Sequence, residues 1–192
     1  LALTPGIARR LHRIREVVGD PPALLGADGA TLTACGLTGR ARAWLARPDP
    51  ARIAAGLRWL AASPAHHAVP FGAPDYPPLL ATIDDPPALL FLRGDPGVLH
   101  LPAVALVGSR GATPAARDSA GALAGELAAG GFVITSGLAR GIDAAAHEGA
   151  LAAGGLTVAV LATGADAVYP REHEPLARRI AGAGALVSEF PP

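Results

Sequence analysis

The apolar positions of the chain fall into two regimes. In the first third they recur every three to four residues. The stretch LTPGIARRLHRIREVVG (3–19) places Ile7, Leu11, Ile14 and Val18 on one helical face, with Pro5 near its start. Gly19 closes that helix, and the pair Pro21–Pro22 prevents its continuation. Further helical stretches are predicted at 38–46 and 50–62. Each is too short to stand alone, so residues 1–65 are expected to form a small helical domain. The segment PAHHAVPFGAPD (64–75) has three prolines and no helical period, which places the domain boundary there. In YPPLLATIDDPPALLFLRGD (76–95), two proline pairs flank a short helical turn and LLFLRG predicts a strand.

From Pro102 the apolar positions become continuous runs separated by glycine-rich turns. AVALV (103–107), FVITS (132–136), TVAVLA (157–162) and ALVSE (185–189) predict strands. Helices are predicted over 115–129, from the GLARG turn through Ala153, and over 171–182. Strands without polar alternation, separated by helices, predict an α/β domain over 66–192. Its parallel sheet is expected to be Rossmann-like, with buried strands covered on both faces and right-handed crossovers. About four core strands are expected, half of a doubly wound sheet. The sequence stops at SEFPP, just after a strand, so a C-terminally incomplete sheet is expected.

Composition narrows the function classes. Hydrophobic residues make up 51% of the 192, enough for a real core. All sixteen basic residues are arginine, and lysine and methionine are absent; a trimmed initiator is expected. Formal net charge is zero, so any anion site must be local. The charge is uneven: residues 1–75 hold nine Arg against five acids, a net of +4, which leaves −4 for the rest. The single cysteine, Cys35, excludes an internal disulfide framework and a cysteine-rich zinc site. His66–His67 lack an obvious third ligand, so no metal is expected. No apolar run reaches the roughly 18 residues of a membrane span, and the N-terminus lacks the layout of a signal peptide. A soluble cytoplasmic protein is the expectation.

Three turns are expected at the carboxyl ends of the strands, where open parallel sheets bind ligands. They are GSRGAT (108–113), GLARGID (137–143) and TGAD (163–166). Backbone N–H groups and the helix N-termini behind them favour an anion. Ser109 and Ser136 add hydroxyl donors, and Arg110 and Arg140 add guanidinium forks suited to phosphate. Glycines in such turns often serve only positive φ, and a surface arginine is usually just solvated; two arginines on adjacent turns favour phosphate contact. The dinucleotide fingerprint and the Walker A motif are both absent, so no nucleotide cofactor is expected. Asp143 and His147 lie four apart on one helix face. An acid–base pair is one reading. The favoured reading is that Asp143 tethers the glycine turn and complements the helix dipole, while His147 is its partner or packs against the sheet. Tyr169 either lines the pocket or covers the core.

Together these stretches resemble the DprA/Smf family of DNA-processing proteins. The resemblance is carried by YPPLL (76–80), DDPPALLFLRG (84–94), VGSR (107–110), SGLARGIDAAAHEGAL (136–151), AVLATGADAVYP (159–170) and LVSEFPP (186–192), in the family's order. It implies a single-stranded DNA-binding mediator, not an enzyme, that protects incoming DNA in natural transformation and helps load the RecA recombinase. It further implies a homodimer for the full-length protein, and N-terminal helices like a sterile-alpha-motif or helix-hairpin-helix domain. The implied pocket comprises Gly108, Ser109, Arg110, Ser136, Gly137, Arg140 and Gly141, with Gly164 and Asp166 closing its wall. The sequence departs from the family where Ala115–Ala116 follow the first turn and where His173 stands near an expected Asn. The family's next basic motif does not occur within it.

Two other functions compete. A nucleotide phosphoribohydrolase-like enzyme on a related sheet would need a Thr-x-x-Glu arrangement, where SGLARGID stands instead. A regulatory nucleotide-binding module would need an acidic ribose anchor, and none is legible.

Overall fold

The structure, a computed structural model, describes residues 3–37 and 39–192. Contacts divide the chain into two compact units, Leu1–Arg58 with Val69–Leu89, and Trp59–Ala68 with Leu90–Pro192.

The first unit is built from short helices. A 3-10 turn at Ala8–Arg10 runs into α1 (Leu11–Val18), whose Leu11 and Ile14 are buried at helical spacing. Gly19 ends α1 with a positive φ of 74°, and Pro21–Pro22 open a 3-10 turn rather than extending the helix. The helix α2 (Gly29–Ala34) is capped by Asp28, whose Oδ1 accepts from Thr31 N–H at 2.7 Å. That bond holds the Asp28 carboxyl below its usual pKa. α3 (Gly39–Ala46) and α4 (Pro50–Ala61) follow. They match the predicted stretches 38–46 and 50–62, except that Thr38 lies outside the described residues. α2 was not foreseen because its six residues, GATLTA, carry only one large apolar side chain. In the same unit Phe71 sits edge-on to Tyr76, and the Arg15 guanidinium lies 5.6 Å from the Phe71 ring centroid.

The α/β fold is as expected: a six-stranded sheet in the order β1-β2-β6-β5-β4-β3. Its strands are β1 (His66–Pro70), β2 (Leu89–Gly94), β3 (Ala103–Ala105), β4 (Val133–Ser136), β5 (Thr157–Val160) and β6 (Ala185–Ser188). β3 to β6 are parallel, linked by α5 (Pro114–Ala129), α6 (Ile142–Ala152) and α7 (Glu174–Ala183).

Three expectations need correction. The sheet is mixed, because β2 pairs antiparallel with β6. β1 lies in the segment 64–75 read as a linker; HHAVP has no alternation to betray a strand. The crossover helices lie on one face of the sheet. Each connection from β3 to β6 steps one strand in the same direction, so right-handed crossovers put α5, α6 and α7 on one face. There Leu138, Ala159, Leu161, Leu176, Ala177, Ile180 and Leu186 form one core cluster, and Ala124, Ala128, Ile134, Ala146 and Ala150 form another. On the opposite face Leu92, Val133, Val158 and Val187 are buried as well, and Val160, at the end of β5, is exposed. AVALV is correspondingly an edge strand with Ala103 and Ala105 exposed, not a buried one.

α5 and α6 pack backbone to backbone. A Cβ on Gly149 would lie 2.1 Å from the carbonyl oxygen of Gly121, so only glycine permits this approach. The consequence is positional. It fixes the start of α6, and with it the glycine turn after β4.

Candidate nucleic-acid interface

The turn after β4 is organised by an anion of the chain's own. Asp143, buried in the first turn of α6, accepts from Gly137 N–H at 3.1 Å and Ala139 N–H at 3.3 Å through Oδ2. Ile142 N–H donates to Ser109 O at 3.2 Å. Three of the backbone donors expected to cradle a phosphate are therefore committed inside the protein. The tether read from sequence for Asp143 is present, and it takes up two N–H groups of the turn.

His147, one turn along α6, does not serve Asp143 as an acid–base partner. It is fully buried, and its Nδ1 lies 2.7 Å from Thr157 Oγ1. The Thr157 hydroxyl donates to Ile134 O at 2.6 Å, so its oxygen is free to accept and Nδ1 carries the imidazole proton. Burial pushes the His147 pKa down to about 4, with His173 adding to the effect and Asp143 opposing it. The ring is neutral at pH 7 and ties α6 to β4 and β5.

Close backbone contacts weld the first two turns together. Gly141 has a φ of 79°, and a Cβ there would lie 2.1 Å from Ser109 O. A Cβ on Gly108 would meet Ile142 Cγ1 at 2.7 Å. Ser136 is buried and donates to Leu106 O at 2.5 Å, so its hydroxyl is spent bridging β4 to the strand beside it. Ser109 Oγ accepts from Gly111 N–H at 3.1 Å, closing its own turn.

The side chains left facing outward form a cleft. Arg110, Gly137, Ala139, Arg140, Leu161, Ala162, Thr163, Tyr169 and Pro170 line a small cleft of about 120 Å³. The structure thus brings Arg110, Gly137 and Arg140 to one place. Ser136 is buried behind that surface; Gly108 and Ser109 are exposed but do not line the cleft, and Gly141 is half-buried. Gly164 lies against the Asp166 carboxylate and Pro191 O, and neither Gly164 nor Asp166 lines the cleft. Arg140 and Arg110 also line a shallower groove along α5 and α6 that takes in Arg117 and His173.

Sequence reasoning missed Glu172. Its Oε1 accepts from Arg140 Nε at 2.5 Å; the contact raises the Arg140 pKa and lowers that of Glu172. His173 Nδ1 lies 2.8 Å from Leu138 O, which fastens the turn after Tyr169 to the glycine turn. The available signal was REH (171–173) directly after Tyr169–Pro170, but nothing in its spacing assigns a partner 32 residues away.

Comparison with known proteins gives this arrangement a context. A family model described as DNA recombination-mediator protein A matches residues 67–192. The chain belongs to that family. Protein Smf of Escherichia coli K12 is 41% identical over 166 residues, covering 85% of this chain and 44% of the relative. The X-ray structure of DNA processing protein A (DprA) from Streptococcus pneumoniae superposes with a TM-score of 0.79 at 28% identity, over 100% of this chain and 66% of that one. A structure of DNA processing protein A from Helicobacter pylori, described for its single-stranded DNA binding mode, gives a TM-score of 0.58 at 32% identity, over 66% of this chain and 57% of that one. The chain spans less than half the length of the Smf relative. Among the described residues no helix is long and apolar enough to cross a membrane.

Proposed function

We propose that this chain binds single-stranded DNA in the cleft after β4, as part of a recombination mediator. The observation that carries this reading is the pairing of Arg110 and Arg140 in one cleft at the carboxyl ends of the parallel strands. Glu172 takes Arg140 Nε, but each guanidinium carries five N–H donors, and those left over suit phosphate oxygens. The Helicobacter pylori relative, described for single-stranded DNA binding, supports the same ligand. Phosphate contacts carry little sequence information, so binding is nearly sequence-independent. The DNA-binding part is the Rossmann-like residues 66–192, and the helical residues 1–65 lie outside it.

In the whole cytoplasmic protein, acting as a homodimer, this cleft would hold incoming single strands during natural transformation and present them to RecA. The role is binding rather than catalysis: Asp143 and His147, the pair with acid–base spacing beside the cleft, are engaged in holding the turn and the sheet.

The test is fluorescence anisotropy of a labelled oligo-dT at low salt with the wild-type chain and Arg110→Ala. The expected result is about tenfold weaker binding by the variant, as for loss of one charged hydrogen-bonding group. Equal affinity for both would show that the cleft is not the DNA site.

A further inference from the structure

The helix α4 (Pro50–Ala61) is 12 residues long, and none of them is buried. A helix of that length is marginal in water unless one of its faces is covered. Ile53 and Leu57, four apart and therefore on one face, are 39% and 61% exposed. At about 100° per residue, Arg52 and Arg58 fall on opposite flanks of that pair. Asp49 fixes where the helix begins, since its Oδ1 accepts from Ala51 N–H at 2.9 Å and Arg52 N–H at 3.3 Å. Both arginines are exposed, and among the described residues neither has an ion pair or a side-chain hydrogen bond. Other arginines of the same unit are spent on holding it together. Arg9 pairs with Asp85, Arg13 donates to Ala34 O, and Arg42 donates to Leu37 O and Thr33 Oγ1. α4 thus presents an aliphatic pair between two unengaged cations.

We propose that the Ile53–Leu57 face of α4 docks an acidic amphipathic helix of a partner protein. Two requirements have to be met together. The aliphatic pair needs apolar side chains against it, and the flanking guanidiniums need carboxylates at the edges of the contact. A nucleic-acid backbone answers the arginines but leaves Ile53 and Leu57 against charge. An anionic membrane answers both, yet two aliphatic side chains bury too little to hold a helix in a bilayer surface. A helix with leucines on one face and glutamates along its edges meets both requirements at once. The face shares no residue with the cleft after β4, so the two can be tested separately.

The test is anisotropy of a labelled peptide helix with leucine on one face and glutamate on its flanks, titrated with the whole chain. A scrambled peptide of the same composition, oligo-dT, and vesicles of phosphatidylserine and phosphatidylcholine are the competing ligands. The expected result is binding of the patterned peptide that weakens as salt rises, with the scrambled peptide bound about tenfold more weakly. Ile53→Ala combined with Leu57→Ala should weaken the patterned peptide about tenfold. Both substitutions raise helix propensity, so melting of α4 does not account for that loss. Arg52→Glu combined with Arg58→Glu should reverse the preference, toward a peptide carrying arginine in place of glutamate. If the patterned peptide does not bind, or binds no better than the scrambled one, the docking face is overturned. Equal binding by the double-alanine variant and wild type would overturn it too. If the variants lose vesicles or oligo-dT while keeping the peptide, the face belongs to lipid or nucleic acid and the protein partner is excluded.

Discussion

Asp143 shows how one residue can change the meaning of a motif. The glycine turn after β4 has the form of an anion cradle, and its anion is the carboxylate six residues on. The sequence made that tether legible, because an acid in the first turn of a helix is where a dipole would want one. What it could not display was that the tether takes two of the N–H groups otherwise assigned to a ligand, those of Gly137 and Ala139. His147 carries a pH prediction. In the unfolded chain it titrates near 6.5, and in the folded protein near 4. Above pH 6.5 it is neutral in both states. As pH falls from 6.5 toward 4 the unfolded state takes up a proton that the folded state refuses. Stability should decline over that window by on the order of 3 kcal/mol and level off below it. Denaturant unfolding across the window should show that part of the slope missing in His147→Gln. Gly141→Ala should destabilise by about 3 kcal/mol, since it adds a Cβ at a φ of 79° against Ser109 O. A thermal melt indistinguishable from wild type would contradict the welded-turn account.

At the scale of elements, the continuous apolar strands and the strong helices α5, α6 and α7 were readable because their patterns are long. β1 was not, since a five-residue edge strand containing two histidines and a proline looks like a loop until its neighbour is known. AVALV was read as buried for the opposite reason: five apolar residues predict a buried strand, but only strand order says which one lies at the edge. The glycines of α5 and α6 are a further case. Gly149 is demanded by the backbone of Gly121, whereas Gly182 in α7 has nothing within 4 Å of an added Cβ. The same substitution should therefore have opposite signs. Gly149→Ala should cost about 2 to 3 kcal/mol, and Gly182→Ala should be neutral or stabilise by up to about 1 kcal/mol. Paired melts of the two variants check this. A neutral Gly149→Ala would mean that α5 and α6 are not held at the close approach described.

For the molecule as a whole, the zero net charge and the engagement of Gly137 and Ala139 N–H by Asp143 point to the same expectation: a small number of phosphate contacts made by identifiable side chains. The cleft was legible in outline, because Arg110 and Arg140 follow adjacent strands of one parallel sheet. Its wall was legible in part: lining the pocket was one of the two readings of Tyr169, whereas Glu172 reaches Arg140 through a loop whose path no local pattern specifies. Counterion release turns the account into a number. Single strands give a slope of log affinity against log salt of about −0.7 per phosphate neutralised, so two arginines predict about −1.4 for the wild type and about −0.7 for Arg110→Ala. The decisive measurement is that pair of slopes, from anisotropy titrations of oligo-dT over a range of salt. A shallow slope that halves on loss of Arg110 is the predicted result. The same slope in both proteins would contradict the claim that Arg110 and Arg140 are the groups that hold the DNA.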